Sequence, residues 1–288
     1  MFEKKAFNPT WGRTVVEKAH KGEILALGNY VGAVNGLKEY AKTITLSEIE
    51  DVSLRNLLEN LPRFNGKIWE AYREACRRLN MHSDAHEEVK EARGFLLRIN
   101  QILSRYGVGT DWDENLSIAA MLHLCTDFLD FERSFCERYF GFDVARFIFD
   151  MPQESEGHFK ECKTKLDRQK KISDYLNRFV SAPIPSILIL CAVQIDAIQT
   201  LSALHPVLRE KVWRKLDMPN KSEQLWYFNQ IVEVFSSNEA LKAHPDYSHV
   251  GQILTELNSV LERALPIFGA KAEKLQPKKA EKNELTTT

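Results

Sequence analysis

Residues 119–132, AAMLHLCTDFLDFE, set a histidine and two aspartates among small and apolar residues. At about 100° per residue, an α-helix brings His123, Asp127, Asp130 and Ser134 into one narrow sector, with Thr126 at its edge. Met121, Leu122, Leu124, Cys125, Phe128, Leu129 and Phe131 fill the other half. The stretch therefore reads as an amphipathic helix with a polar edge. That edge has three uses: a solvated surface, a metal pair formed by His123 and Asp127 one turn apart, or a polar pocket without metal.

Outward from this stretch the period stays helical. The segment 45–62, TLSEIEDVSLRNLLENLP, opens on Thr45 with Glu48 as a capping-box partner and stops at Pro62. Ile68, Trp69, Tyr72 and Cys76 recur at helical spacing. So do Phe95, Leu96, Ile99 and Leu103, with Gly107 where that helix would end. Val250, Ile253, Leu254, Leu257, Val260 and Leu261 line one side of a late helix. Alternating strand patterns and internal repeats are absent from the sequence. The predicted class is all-α, with a helical extension over 1–62, a helical domain over 63–268 and a disordered Lys/Glu-rich tail over 269–288.

Composition narrows the functional classes. A hydrophobic share of 44%, a charged share of 27% and a net charge of −1 suit a soluble globular protein without a general pull toward nucleic acid or anionic membrane. The opening MFEKKAFNPTWGRT lacks the apolar run of a signal peptide. The longest apolar run, IPSILILCAV at 184–193, is about half of the ~20 residues a membrane span needs. The 5 cysteines are scattered, which predicts reduced thiols and a cytoplasmic protein. Gly28, Gly32 and Gly36 recur every fourth residue without a preceding strand. They predict close helix packing or turns, or else a groove for a partner helix.

Several segments resemble one family, and they do so in the family's order. AAMLHLCTDF at 119–128 is similar to the Ala-Ala-Leu-Leu-His-Asp, two residues, Glu-Asp helix of RelA/SpoT-type HD hydrolases, which remove pyrophosphate from guanosine tetra- and pentaphosphate. YFGFDVARFIFD at 139–150 resembles their Phe-Gly-x-x-Val-Ala-x-Leu-Val segment through Phe140, Gly141, Val144, Ala145 and Ile148. SILILCAVQIDAIQTL at 186–201 takes the place of a Lys-Leu-Ala-Asp-Arg-Leu-His-Asn helix. YFNQIVEVFSSNEAL at 227–241 resembles a late helix of the small alarmone hydrolases. The resemblance covers roughly residues 70–265 and implies an HD-domain-like helical bundle.

The resemblance also implies manganese held by a histidine, the His-Asp pair and a distant aspartate. In this sequence those positions hold Phe95, His123 followed by Leu124, and Val193. The family's catalytic Glu-Asp pair falls on Asp127 and Phe128. Only His123 survives of the ligand set, and one imidazole cannot hold manganese. Leu124 and Val193 are close to aspartate in size, so they would fill the vacated space with apolar packing. The expectation is a site without metal, cofactor or catalytic residues.

Other residues have two readings each. His82 and His86 in HSDAHEE have the i, i+4 spacing of helical metal sites, in a polar stretch that also suits a solvated helix start. His158 and Cys162 share that spacing in a charged segment. His205 and His244 precede prolines and read as helix-end or turn residues. Gln194 and Asp196 interrupt an apolar helix and either line a residual pocket or form an exposed edge. Lys160, Lys163, Lys165, Arg168, Lys170 and Lys171 read as a solvated face, or as cations for a phosphate-rich ligand or an acidic partner.

The predicted function is a non-catalytic HD-like helical module that binds a partner protein or a guanosine-polyphosphate-type nucleotide. Its ligand-binding candidates are His123, Asp127, Asp130, Gln194, Asp196, Lys163, Lys165 and Arg168. Two alternatives stand beside it. One is an active manganese-dependent phosphohydrolase using His82, His86, His123 and Asp127. The other is a structural protein that oligomerises through its N-terminal helices.

Overall fold

The computed structural model describes residues 66–82, 86–127, 131–152, 162–208 and 220–269. The expected helical extension over 1–62, its glycine stripe and the tail beyond Gly269 lie outside these residues, as do Asp130, His158 and Lys160. Among the described residues the regular structure is helical and no strand occurs, so the all-α reading holds. The elements are α1 (Gly66–His82), α2 (His86–Leu103), α3 (Asp113–Leu122), a 3₁₀ turn (His123–Asp127), α4 (Arg133–Phe140) and α5 (Phe142–Phe149). After these come α6 (Lys165–Phe179), α7 (Ile184–Leu208), α8 (Lys221–Ser237), the short α9 (Glu239–Lys242) and α10 (Tyr247–Phe268).

The opening stretch departs from its expected form. The α-helix ends at Leu122, and His123–Asp127 continue as a 3₁₀ turn. A 3₁₀ turn has about three residues per turn, so the 100° spacing that gathered His123, Asp127, Asp130 and Ser134 into one sector does not apply. Ser134 belongs to a separate helix, α4. The cause is tertiary. Ile118, Ala119, Ala120, Met121 and Leu122 are all buried, so α3 is a core helix and not a two-sided surface one.

Helix α7 forms the centre, packing against α2, α3, α5 and α10. Ile187, Leu188, Ile189, Cys191, Ala192, Ile195 and Ile198 are fully buried on all sides of it, which explains why its sequence shows no single apolar face. Ile184–His205 is longer than the apolar run expected from the sequence and meets the length and composition of a membrane span; most of it is buried within the fold. Helix α1 lies on α2 and α3, while α8 lies on α6 and α10. One apolar cluster runs from Ile68 to Phe268. Each fully buried Leu, Ile or Phe in such a cluster stabilises the fold by about 1.5–3 kcal/mol.

Local chemistry sets the boundaries. Thr164, Asn220 and Asn238 cap α6, α8 and α9, each side-chain oxygen accepting a backbone N–H three residues on. The predicted stop at Gly107 is a turn beyond the end of α2. Gly107 adopts φ +78°, and a β-carbon there would stand 2.4 Å from the Trp112 ring. Gly141, at φ +103°, turns the chain between α4 and α5.

Candidate functional site

The residues flagged by the sequence converge in part where α2, α3 and α7 meet. His123 is half-buried, and its Nδ1 lies 2.7 Å from the Ala120 carbonyl oxygen. A carbonyl only accepts, so Nδ1 carries the proton. Burial pushes the imidazole pKa down to about 4, with the Ala120 carbonyl offsetting part of the shift, so His123 is neutral at pH 7. The Phe95 ring lies against it at 5.9 Å between centroids, and both Phe95 and Leu124 are buried. Val193 is half-buried against the same core. The side chain of Asp127 lies outside the described residues.

These residues do not fit manganese. Phe95, Leu124 and Val193 offer no donor atom, and His123 has one free nitrogen lone pair. Among the described residues no three His, Cys, Asp or Glu side chains come together as a metal ion requires. His82 is the last described residue of α1 and His86 the first of α2, and their side chains lie outside the described residues.

Asp196 and Gln194 are buried, at 1% and 5% exposure, which corrects the exposed-edge reading. The Asp196 carboxylate accepts a bidentate pair from Arg98, with Nε–Oδ1 at 2.6 Å and Nη2–Oδ2 at 3.2 Å. Arg98 was not among the residues singled out from the sequence. Its signal is a lone cation in the apolar run FLLRINQIL, matched by a lone anion in LILCAVQIDAIQTL. Neither helix alone says that the two charges meet. Together they clamp α2 to α7, and the planar guanidinium fixes their register.

The lysine-rich segment divides likewise. Lys163 and Lys165 are exposed, as the solvated-face reading expects. Arg168 is not part of that face. Its Nε donates to Glu223 at 2.8 Å and its Nη1 to the Cys162 carbonyl at 2.7 Å, tying α6 to α8. Arg168 and Asn220 together hold the Glu223 carboxyl below its ordinary range against the opposing effect of burial. Cys162 is buried, not a surface residue. His205 lies in the last turns of α7 and His244 in the turn before α10, as their proline neighbours suggested. None of the 5 cysteines is in a disulfide, and all are buried.

A comparison with models of known protein families gives no match, and one with curated proteins gives none either.

The open site lies elsewhere. A groove of about 760 Å³ is bounded by Asp111 and Trp112 before α3, by α5, by the α6–α7 connection and by the α9–α10 turn. Trp112, Phe147, Pro183 and Leu241 supply its apolar lining. Asp111, Asp143, Asp150 and Asp246 ring it, with Arg146 and His244 as the cation and titratable base among the lining residues. The Ser186 hydroxyl donates to the Phe147 carbonyl at 2.6 Å and holds α5 on the first turn of α7, fixing one wall. None of the described ligand-binding candidates lines it, whereas His244, read from the sequence as a turn residue, does. Its parts come from four separated segments, so no local motif announces it.

Proposed function

We propose that the chain is a non-catalytic HD-like helical module that acts by binding and not by turnover. One observation carries this reading: the Phe95 ring packs on a neutral, desolvated His123 with Leu124 buried beside it, at the positions where the family resemblance implies metal ligands. Unpaired carboxylates would be costly in such surroundings, whereas apolar side chains close it at no electrostatic cost. The HD-like arrangement itself rests on the order of the four resembling segments. A cytoplasmic location is part of the proposal, supported by the reduced, buried thiols.

Of the cations proposed for a phosphate-rich nucleotide, Lys163, Lys165, Lys170 and Lys171 are exposed, while Arg168 is engaged with Glu223. A protein partner is the binding target we favour, because the groove is edged by carboxylates. The test is metal content of the purified protein by mass spectrometry, then manganese-dependent pyrophosphate release from guanosine tetraphosphate on the same sample. The expected result is substoichiometric metal and no release above the protein-free rate. Stoichiometric manganese with turnover would overturn the reading.

A further inference from the structure

The groove is open, apolar within and negative at its edge. Its four aspartates are not equivalent. Asp150 accepts from Arg133 at 2.8 Å, and Asp143 faces Arg146 at 3.7 Å. Among the described residues Asp111 has no ion-pair partner, and the nearest base to Asp246 is His244 at 3.9 Å. Two carboxylates therefore stand at the groove edge without a lysine or arginine partner, with Arg146 already engaged by Asp143. Phosphate groups entering this ring would meet like charge, and so would an anionic membrane surface.

The apolar half extends beyond the groove. Phe142 is 62% exposed and Tyr139 61%, flanking Gly141 at the α4–α5 corner. Phe142 stands one helical turn before Arg146, so it shares the face that carries the groove wall. Among the described residues the other exposed large apolar side chains are the aliphatic Val108 and Leu166. An exposed ring beside a ring of carboxylates recognises cations twice over, through the carboxylates and through the aromatic face. The volume exceeds what one lysine side chain fills and lies in the range of sites that enclose whole ligands.

We infer that this groove is the docking site for an extended basic segment of a partner protein, one that alternates lysine or arginine with apolar residues. The cations sit on Asp111 and Asp246, the apolar residues on Trp112, Pro183 and Phe142. This assignment rests on the non-catalytic binding reading and names the class of partner it serves.

The probe is a fluorescein-labelled octapeptide of alternating lysine and leucine, titrated with the full chain and followed by anisotropy. Saturable binding is expected at low salt, weakening as salt rises. Asp111→Asn with Asp246→Asn should weaken binding about tenfold, the upper range for two exposed charge pairs. Phe142→Ala should weaken it about threefold. The same peptide with glutamate in place of lysine should not bind. No binding of the lysine peptide, or binding unaffected by these substitutions, would overturn the assignment. So would equal binding of an all-lysine peptide, which would mark a bare polycation site. Displacement of the peptide by guanosine tetraphosphate would overturn it in favour of a nucleotide. A wild-type dimer that dissociates in the Asp111→Lys, Asp246→Lys variant would show that a second copy fills the groove, and would overturn it too. The binding reading fails only on turnover, so its failure and that of the groove assignment are separately visible.

Discussion

The His123 junction and the acidic groove share helices yet obey opposite rules. Helix α3 presents its start, near Trp112, to the groove and its end to the junction. Helix α7 presents Ile184 to the groove and Asp196 to the junction, about 18 Å further on at 1.5 Å per residue. At the junction every described charge is matched: Asp196 has Arg98, and His123 is neutral with its Nδ1 proton on Ala120. At the groove Asp111 and Asp246 stand at the edge of the fold without a lysine or arginine partner. Dry surroundings force pairing or neutrality, whereas solvated carboxylates can wait for a ligand. The stretch that stands out in the sequence thus marks a closed place, and the open place has no local signature.

The sharpest way to break this contrast is Asp196→Ala. It removes the buried carboxylate that the Arg98 guanidinium faces, and Arg98 keeps 25% of its side-chain surface. The expected loss is about 2–3 kcal/mol, somewhat below the full penalty for half of a buried pair. Urea unfolding measures it, and Arg98→Met with Asp196→Leu should recover most of it. Recovery of nothing would mean that the pair is needed for more than its charge balance.

The second effect is pH-dependent. His123 has a folded pKa of about 4 against an ordinary value of 6.5, so between these values the unfolded chain binds the extra proton. Its stabilising contribution is therefore present above pH 6.5 and is lost as pH falls toward 4. The total is about 2 kcal/mol after allowance for the partial exposure of the residue. Unfolding free energies at pH 7 and pH 5 should differ by most of that in the wild type and by much less in His123→Gln. An unchanged slope would show that the imidazole is solvated.

The smallest effect belongs to the groove. Asp111→Asn with Asp246→Asn should change stability by less than about 0.5 kcal/mol, as solvated positions away from packing do. A loss above 1 kcal/mol would mean that these carboxylates serve the fold, and the contrast between the two regions would collapse.

Much of the architecture was legible residue by residue. Ile68, Tyr72 and Cys76 face the core at the spacing read from the sequence, as do Val250 through Leu261 on α10. The register near His123 was not legible, because a core helix buried on all sides has no polar stripe to count from. Gln194 and Asp196 were visible as polar interruptions, but their burial was not. That depended on Arg98, which lies 98 positions away in the chain.

What the sequence determined by itself is the helical period and the apolar faces it gives to α1, α2 and α10. These follow from side-chain chemistry and from neighbours within a turn. The tertiary structure alone decided that Arg98 meets Asp196, that Arg168 serves Glu223 and not a ligand, and that four separated aspartates ring one groove. Pairing and concavity arise from how helices cross, and packing sets the crossings through contacts between residues far apart in the chain.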